Sequence, residues 1–160
     1  MPHDTAALVE ALAAALTARG WMMASAESCT GGLIAGACTD RAGSSDWFER
    51  GFVTYSNAAK SGLLGVPAEL IAAHGAVSEP VARAMAGGAV RQAPVQVAVA
   101  VTGVAGPGGG SEAKPVGTVW FGWATPAGVD TECVRFDGDR AAVRQATVAH
   151  ALAGLLQRLR

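Results

Sequence analysis

Seven consecutive residues near the middle of the chain constrain its fold more than any other segment. Val95–Val101 is short, apolar and mostly valine, which is typical of a strand buried on both faces of a sheet. It runs into Gly103–Ser111, a glycine-rich segment that no regular element tolerates. Because α/β folds commonly bind ligands where buried strands end, this segment is predicted to bind a phosphate or carboxylate. A mobile surface loop without a ligand is the alternative that the sequence leaves open.

Helical and strand patterns flank this central strand. Leu8, Leu12 and Leu16 recur at helical spacing, whereas Gly51–Tyr55 is rich in β-branched and aromatic residues. The predicted helices cover about residues 4–20, 33–38, 67–73, 78–92 and 139–159, and the predicted strands cover 21–26, 51–55, 95–101, 116–124 and 130–136. This order, α-β-α-β-α-α-β-β-β-α, predicts an α/β fold in which helices cover both faces of a mixed sheet. We expect residues 1–160 to form a single domain.

Composition excludes several classes of function. The net charge is −1 and the pI about 6.3, so no basic field is present to hold nucleic acid or an anionic membrane. The start of the chain lacks the basic and apolar regions of a signal peptide, and a cytoplasmic location is expected. Cys29, Cys38 and Cys133 are scattered, which predicts reduced thiols rather than disulfides or a zinc site. The histidines, at positions 3, 74 and 150, give little support to a catalytic triad or a metal site.

Ser28 is the first candidate for a nucleophile. It lies between a predicted strand and a predicted helix, where its hydroxyl would be close to the free N–H groups that begin the helix. Such donors are able to stabilise an oxyanion. Two alternatives stay open: Ser28 or Thr30 caps the helix, or Cys29 is the nucleophile instead.

Lys60 is the candidate base for this serine. Lys60 and Lys114 are the two lysines of the chain, because arginine occupies the other cationic positions. A buried lysine is able to lose its proton and then to accept one from a serine hydroxyl, which arginine is not. A Ser–Lys dyad is therefore the functional hypothesis, and an ordinary surface lysine is the alternative.

Other catalytic motifs are excluded by the residues that surround them. No lysine follows a glycine as the phosphate-binding P-loop requires, and the glycine pattern at 108–113 leads into Lys114-Pro115 instead of a helix. The same proline and the preceding glycines exclude the helical turn that an S-x-x-K motif at Ser111 would need. Arg140 and Arg144, one helical turn apart, are candidate phosphate ligands, and a solvated helix face is the alternative.

Several motifs in one order resemble the C-terminal domain family of the competence/damage-inducible protein CinA. The motifs are Ala26-Glu27-Ser28-Cys29-Thr30-Gly31-Gly32, Gly51-Phe52-Val53-Thr54-Tyr55-Ser56-Asn57 with Lys60, His74-Gly75-Ala76-Val77-Ser78, Thr102-Gly103-Val104-Ala105-Gly106-Pro107 and Lys114-Pro115-Val116-Gly117-Thr118-Val119. The resemblance runs from about residue 5 to the end of the chain. It implies a three-layer α/β/α sandwich with a mixed, mostly parallel five-stranded sheet.

The same resemblance implies an activity and a set of site residues. Members of the family include nicotinamide-nucleotide amidases, which hydrolyse nicotinamide mononucleotide to nicotinate mononucleotide and ammonia without a metal or an organic cofactor. Many relatives also carry an N-terminal pyrophosphatase domain, so the amidase activity alone is expected of this chain. The implied catalytic residues are Ser28, Lys60 and Tyr55, and the implied substrate-binding residues are Thr30, Gly31, Thr102, Gly103, Gly106 and Arg140.

Two questions stay open after the resemblance is considered. Some relatives are thought to lack the activity, so a nucleotide-binding or regulatory module without turnover is the alternative function. The expected partner is a small nucleotide, and a homo-oligomer, a dimer or a larger assembly, is compatible with the sequence.

Overall fold

The computed structural model describes residues 4–160, which form a five-stranded sheet between two layers of helices. The helices are α1 (Thr5–Arg19), α2 (Leu33–Thr39), α3 (Asn57–Leu64), α4 (Ala68–His74), α5 (Glu79–Gln92) and α6 (Arg140–Arg158). The strands are β1 (Met23–Glu27), β2 (Phe48–Val53), β3 (Val97–Gly103), β4 (Thr118–Thr125) and β5 (Gly128–Arg135). A short 3-10 turn, Ser44–Asp46, precedes β2.

The strands lie in the order β2-β1-β3-β4-β5. β1 pairs in parallel with β2 on one side and with β3 on the other, so that Glu27 lies opposite both Val53 and Val101. β4 and β5 add antiparallel pairings, because a hairpin joins them and β4 returns beside β3. The carboxyl ends of three neighbouring parallel strands therefore meet at one edge of the sheet.

The central strand divides the core into two parts. The valines of β3 at 97, 99 and 101 pack with α1, α2 and α6, whereas Ala98 and Ala100 face the layer that contains α3, α4 and α5. This alternation follows from the two-residue period of a strand. Small residues on the second face allow close packing, and a Cβ at Gly122 on β4 would lie 2.6 Å from the carbonyl oxygen of Ala82 on α5.

β4 runs against the other four strands of the sheet, which share one direction, so the predicted three-layer α/β/α sandwich with a mixed, mostly parallel five-stranded sheet is confirmed. Two details differ from the prediction. α3 is absent from the predicted order, because its eight residues carry an asparagine, a serine, a glycine and Lys60 and give a weak apolar pattern. β2 begins at Phe48, three residues before the predicted strand. Within residues 4–160 no helix is both long and apolar enough to cross a membrane.

Candidate active site

A cleft of about 330 Å³ opens at the carboxyl ends of the parallel strands. Its lining comes from the turn after β1, the segment between β2 and α3, the α4–α5 loop, the glycine-rich loop after β3 and the first turn of α6. The lining residues are Ser28, Cys29, Tyr55, Asn57, Lys60, Ala76, Val77, Thr102, Gly103, Val104, Ala105, Gly106, Gly108, Gly109 and Arg140. The two segments that the sequence marked as chemically important, the serine turn and the glycine-rich loop, therefore form one site.

Ser28 follows β1 directly and is held by the backbone on both sides. Its N–H donates to the carbonyl of Val101 at 3.1 Å, and its carbonyl accepts from the N–H of Gly31 at 3.1 Å. Gly31 and Gly32 have φ values of 57° and 107°, a region that favours glycine over residues with a side chain. These two glycines let the chain turn sharply into α2 and leave Ser28 at the wall of the cleft.

Glu27 anchors this turn from inside the protein. Its carboxylate is fully buried and accepts hydrogen bonds from the Thr30 hydroxyl at 2.6 Å and from the N–H groups of Ile34 at 2.8 Å and Ala35 at 3.0 Å. The N–H of Gly32 donates to the same carboxylate at 3.3 Å. A negative charge at the start of a helix is also favoured by the helix dipole. No role for Glu27 was predicted, because a glutamate at the end of an apolar strand has no distinctive pattern.

Arg144 holds the same turn from the opposite side. From α6 it donates to the carbonyl oxygens of Cys29 and Thr30, both at 3.1 Å. Its guanidinium therefore forms hydrogen bonds with the backbone, and Arg144 does not belong to the cleft lining. Of the two candidate phosphate ligands on α6, Arg140 is the one that lines the cleft.

Lys60 lies on the buried face of α3 with only 1% of its surface exposed. The Ser56 hydroxyl caps α3 by accepting from the N–H of Ala59 at 3.0 Å, and this fixes where Lys60 falls on the helix. The Lys60 amine donates to the carbonyl of Tyr55 at 3.3 Å. Burial lowers the pKa of Lys60 below its ordinary value of 10.5, and the Cys29 thiolate, where it forms, acts in the opposite direction. The environment therefore favours the neutral amine that a base requires.

Cys29 is less suited to nucleophilic attack than its neighbour. Burial raises the pKa of its thiol to about 11, and the charge of Glu27 adds to this rise. Its own backbone N–H and the cations Arg144 and Lys60 lower the pKa, but by less. At neutral pH the sulfur is protonated, and a thiol is a far weaker nucleophile than a thiolate.

Tyr55 and Arg140 lie at the mouth of the cleft. Tyr55 is 62% exposed, and its hydroxyl accepts a hydrogen bond from Arg140 at 3.3 Å. A second nitrogen of Arg140 donates to the carbonyl of Gly106 at 2.9 Å. Arg140 therefore joins the glycine-rich loop to the segment after β2 and presents its charge to the cleft.

Most of the sequence-predicted site residues come together, and two do not. The cleft lining includes seven of them: Ser28, Lys60, Tyr55, Thr102, Gly103, Gly106 and Arg140. Thr30 and Gly31 lie outside its lining, and the Thr30 side chain is fully buried against Glu27. Thr102 donates to the carbonyl of Ala76 at 2.9 Å and so ties the α4–α5 loop to the end of β3. The functional roles of all these residues remain predictions.

Metal-binding geometry is absent from the described part of the chain. No group of three or more His, Cys, Asp or Glu side chains in residues 4–160 is arranged to hold a metal ion. His150 instead lies 2.5 Å from Glu132 beside Phe121. His3 lies outside the described residues.

The family of this chain is shown by its match to a family model and by a curated relative. The model of the CinA C-terminal domain matches residues 5–159. The chain belongs to the CinA C-terminal domain family. A curated relative from Escherichia coli (strain K12), named nicotinamide-nucleotide amidohydrolase PncC, is 56% identical over 153 residues, which cover 94% of this chain and 92% of that protein.

Solved structures of the CinA family share this fold closely. The competence/damage inducible protein CihA from Agrobacterium tumefaciens is 47% identical, with a TM-score of 0.94 over 98% of this chain and 96% of that one. A CinA superfamily protein from Klebsiella pneumoniae is 41% identical, also with a TM-score of 0.94, over 98% of each chain.

The CinA-domain cleft contains one further polar residue, for which no role was predicted from the sequence. Asn57, the first residue of α3, lines the cleft beside Tyr55 and Lys60. Its position directly after the capping residue Ser56 was the available signal, because the first residues of a helix present their side chains near the preceding loop.

Proposed function

We propose that this chain is a nicotinamide-nucleotide amidohydrolase that converts nicotinamide mononucleotide and water to nicotinate mononucleotide and ammonia. The observation that carries the proposal is the meeting of Ser28 and the buried Lys60 in one cleft, although they are 32 positions apart in the sequence. The name of the Escherichia coli relative, at 56% identity over nearly the whole chain, supports the same substrate.

The first half of the reaction transfers the acyl group to the enzyme. Neutral Lys60 accepts the proton of the Ser28 hydroxyl while the serine oxygen attacks the carboxamide carbon. The resulting tetrahedral intermediate collapses when the carbon–nitrogen bond breaks, and the Lys60 ammonium gives its proton to the leaving nitrogen. Ammonia departs, and the nicotinoyl group remains on Ser28 as an ester.

The second half returns the enzyme to its starting state. A water molecule gives its proton to Lys60 and attacks the ester carbon. The bond to the serine oxygen then breaks, and this oxygen takes the proton back from Lys60. The product forms as the carboxylic acid, which loses its proton to solvent and leaves as a carboxylate, and no metal or organic cofactor takes part in either half.

Two N–H groups before α2 already donate hydrogen bonds within the protein and are not free to stabilise an oxyanion. The N–H groups of Gly31 and Gly32 donate to Ser28 and Glu27 respectively. We therefore propose that the developing negative charge is stabilised by the remaining N–H groups of the serine turn and of the loop that begins at Gly103. Backbone donors held in a fixed arrangement stabilise such a charge without having to reorganise.

The other end of the cleft suits the phosphate of a nucleotide. Arg140 is the cation there, and the glycine-rich loop from Gly103 to Gly109 brings backbone N–H groups to the same wall. Binding energy from this remote phosphate positions the carboxamide beside Ser28. Because a phosphorylated substrate does not cross membranes unaided, we propose that the enzyme acts in the cytoplasm.

A comparison of three substrates tests the proposed function. Ammonia release is measured with nicotinamide mononucleotide, with nicotinamide riboside, which lacks the phosphate, and with free nicotinamide. The mononucleotide is expected to give the highest kcat/KM, and free nicotinamide the lowest. Binding of the mononucleotide without release of ammonia would favour the module without turnover, and equal rates with all three would reject the assignment of a phosphate site.

A further inference from the structure

Lys114 makes a long-range hydrogen bond that the proposed mechanism does not use. Its amine donates to the carbonyl of His74, 40 positions earlier in the chain, at 2.8 Å. His74 is the last residue of α4, and the last carbonyl groups of a helix have no partner inside the helix. A lysine ammonium at this end of a helix is also favoured by the helix dipole. The contact therefore joins the chain just after the glycine-rich loop to the end of α4.

The segment that receives this hydrogen bond is itself held in place. The carbonyl of Gly75 accepts from the Ser78 hydroxyl at 2.8 Å, and the carbonyl of Ala76 accepts from the Thr102 hydroxyl, at the end of β3, at 2.9 Å. A Cβ at Gly75 would lie only 2.9 Å from the Lys114 amine nitrogen, so the amine packs directly against this backbone. Lys114 is thus bonded to a part of the cleft wall that the central strand fixes.

The glycine-rich loop is held on both sides of its three consecutive glycines, Gly108–Gly110. On the downstream side, the N–H of Ser111 donates to the carbonyl of Lys114, and the N–H of Lys114 donates to the Ser111 hydroxyl, both at 3.0 Å. On the upstream side, Arg140 donates to the carbonyl of Gly106 at 2.9 Å. The tight turn at Ser111 therefore lets the bond between Lys114 and His74 restrain the glycines that precede it.

The glycines between these two points offer unused hydrogen-bond donors. No backbone hydrogen bond within residues 4–160 uses the N–H groups of Gly108, Gly109 or Gly110. Gly108 and Gly109 line the cleft. Glycine loses more conformational freedom on ordering than any other residue, so an unrestrained run of glycines binds an anion at a large entropic cost. Fixing both ends of the run reduces this cost before the substrate arrives.

We propose that Lys114 is a positioning residue for the substrate phosphate: its hydrogen bond to His74 holds Gly108–Gly110 at the cleft wall, where their N–H groups bind the phosphate beside Arg140. Lys114 does not belong to the cleft lining, so it acts through the loop and not by contact with the substrate. This inference rests on the nucleotide substrate proposed above.

Kinetics with and without the phosphate separate this role from a general structural one. Lys114→Met keeps most of the apolar stem but no N–H donor, and it is expected to raise KM for nicotinamide mononucleotide about tenfold with kcat nearly unchanged. For nicotinamide riboside, which has no phosphate, kcat/KM is expected to stay at the wild-type value. Lys114→Arg, which keeps a donor and the charge, is expected to recover part of the lost affinity.

Arg91→Met is the matched control for the loss of one positive charge. Arg91 is exposed and lies outside the cleft, so its replacement is expected to leave the kinetics with both substrates unchanged. An equal rise of KM in Arg91→Met and Lys114→Met would attribute the effect to net charge and would overturn the inference. Melting temperatures show whether all variants are folded.

The mobility of the loop gives a readout that needs no turnover. Relaxation of ¹⁵N in glycine-labelled protein reports the backbone order parameters of Gly108, Gly109 and Gly110 in the absence of substrate. In Lys114→Met these order parameters are expected to fall below about 0.6, the range of flexible backbone, and to be higher in the wild type. The glycines of the serine turn, Gly31 and Gly32, are expected to keep their wild-type values.

Three further results would overturn the inference. One is a wild-type KM for nicotinamide mononucleotide in Lys114→Met. Another is an equal loss of kcat/KM with the mononucleotide and the riboside, which would assign Lys114 to folding alone. The third is a set of loop order parameters that is the same in Lys114→Met as in the wild type.

Failure of the proposed function would look different. Absence of ammonia release by the wild type, or equal wild-type rates with the mononucleotide and the riboside, would count against the amidase or its phosphate site. The relaxation measurement would still decide whether Lys114 holds the loop.

Discussion

Arg140 donates a 3.3 Å hydrogen bond to the hydroxyl of Tyr55, 85 positions earlier in the chain, and a 2.9 Å hydrogen bond to the carbonyl of Gly106. Two parts of the cleft wall are thereby linked through one planar guanidinium. A lysine in its place would keep the positive charge but lose the geometry that reaches both partners. The arginine therefore has an architectural role beside the substrate-binding role proposed for it.

Arg140→Lys is expected to raise KM for nicotinamide mononucleotide about tenfold and to change kcat less, because the lost interaction is remote from the reacting amide. Steady-state kinetics provide the measurement. Arg91→Lys, at an exposed position in the last turn of α5 and outside the cleft, serves as the matched control. An unchanged KM in Arg140→Lys would remove Arg140 from the phosphate site.

The pH dependence of the reaction follows from the lowered pKa of Lys60. In the proposed mechanism only the neutral amine accepts the serine proton, so kcat/KM is expected to rise with pH and to level off above the pKa of Lys60 in the free enzyme. Lys60→Arg, which stays charged at all these pH values, is expected to reduce kcat at least a hundredfold at the plateau. A flat pH profile, or an active Lys60→Arg variant, would exclude the neutral amine as base.

Stability should depend on the same titration. Between the lowered pKa of Lys60 and 10.5, the folded protein binds fewer protons than the unfolded chain, so this residue makes the free energy of unfolding rise with pH over that interval. Lys60→Met removes this buried ionisable group and is expected to increase the free energy of unfolding at neutral pH. The increase should shrink as the pH approaches 10.5. Urea denaturation at several pH values measures it, and a loss of stability at neutral pH would contradict the assignment of burial as the main cause.

Cys29 provides a control inside the serine turn. Its thiol has a pKa of about 11 and is protonated at neutral pH, so it is not expected to attack the substrate. Cys29→Ala should retain most of the wild-type kcat for nicotinamide mononucleotide. Near-complete loss of activity without a change in melting temperature would transfer the nucleophilic role from Ser28 to Cys29.

Patterns in the sequence were sufficient for the layers of the fold and for most of the cleft. The valine run of β3 and the glycines after it mark a buried strand and its loop by composition alone. α3 was missed, since its helical state depends on the Ser56 cap and on the buried Lys60 more than on an apolar stripe.

The roles of residues that act through buried contacts could not be predicted from sequence patterns. Glu27 resembles any charged residue until its carboxylate is seen to accept the N–H groups that open α2. Arg144 resembles Arg140 until its hydrogen bonds to the Cys29 and Thr30 carbonyls separate the two. Each of these distinctions depends on long-range packing, which local periodicity does not encode.

The most direct measurement of the central claim is the rate of ammonia release from nicotinamide mononucleotide by Ser28→Ala beside the wild type. The alanine variant keeps the backbone bonds of the serine turn but has no hydroxyl to form the ester. Its kcat is expected to fall by roughly ten thousandfold or more, with the melting temperature unchanged. Release of ammonia by Ser28→Ala at the wild-type rate would contradict the account.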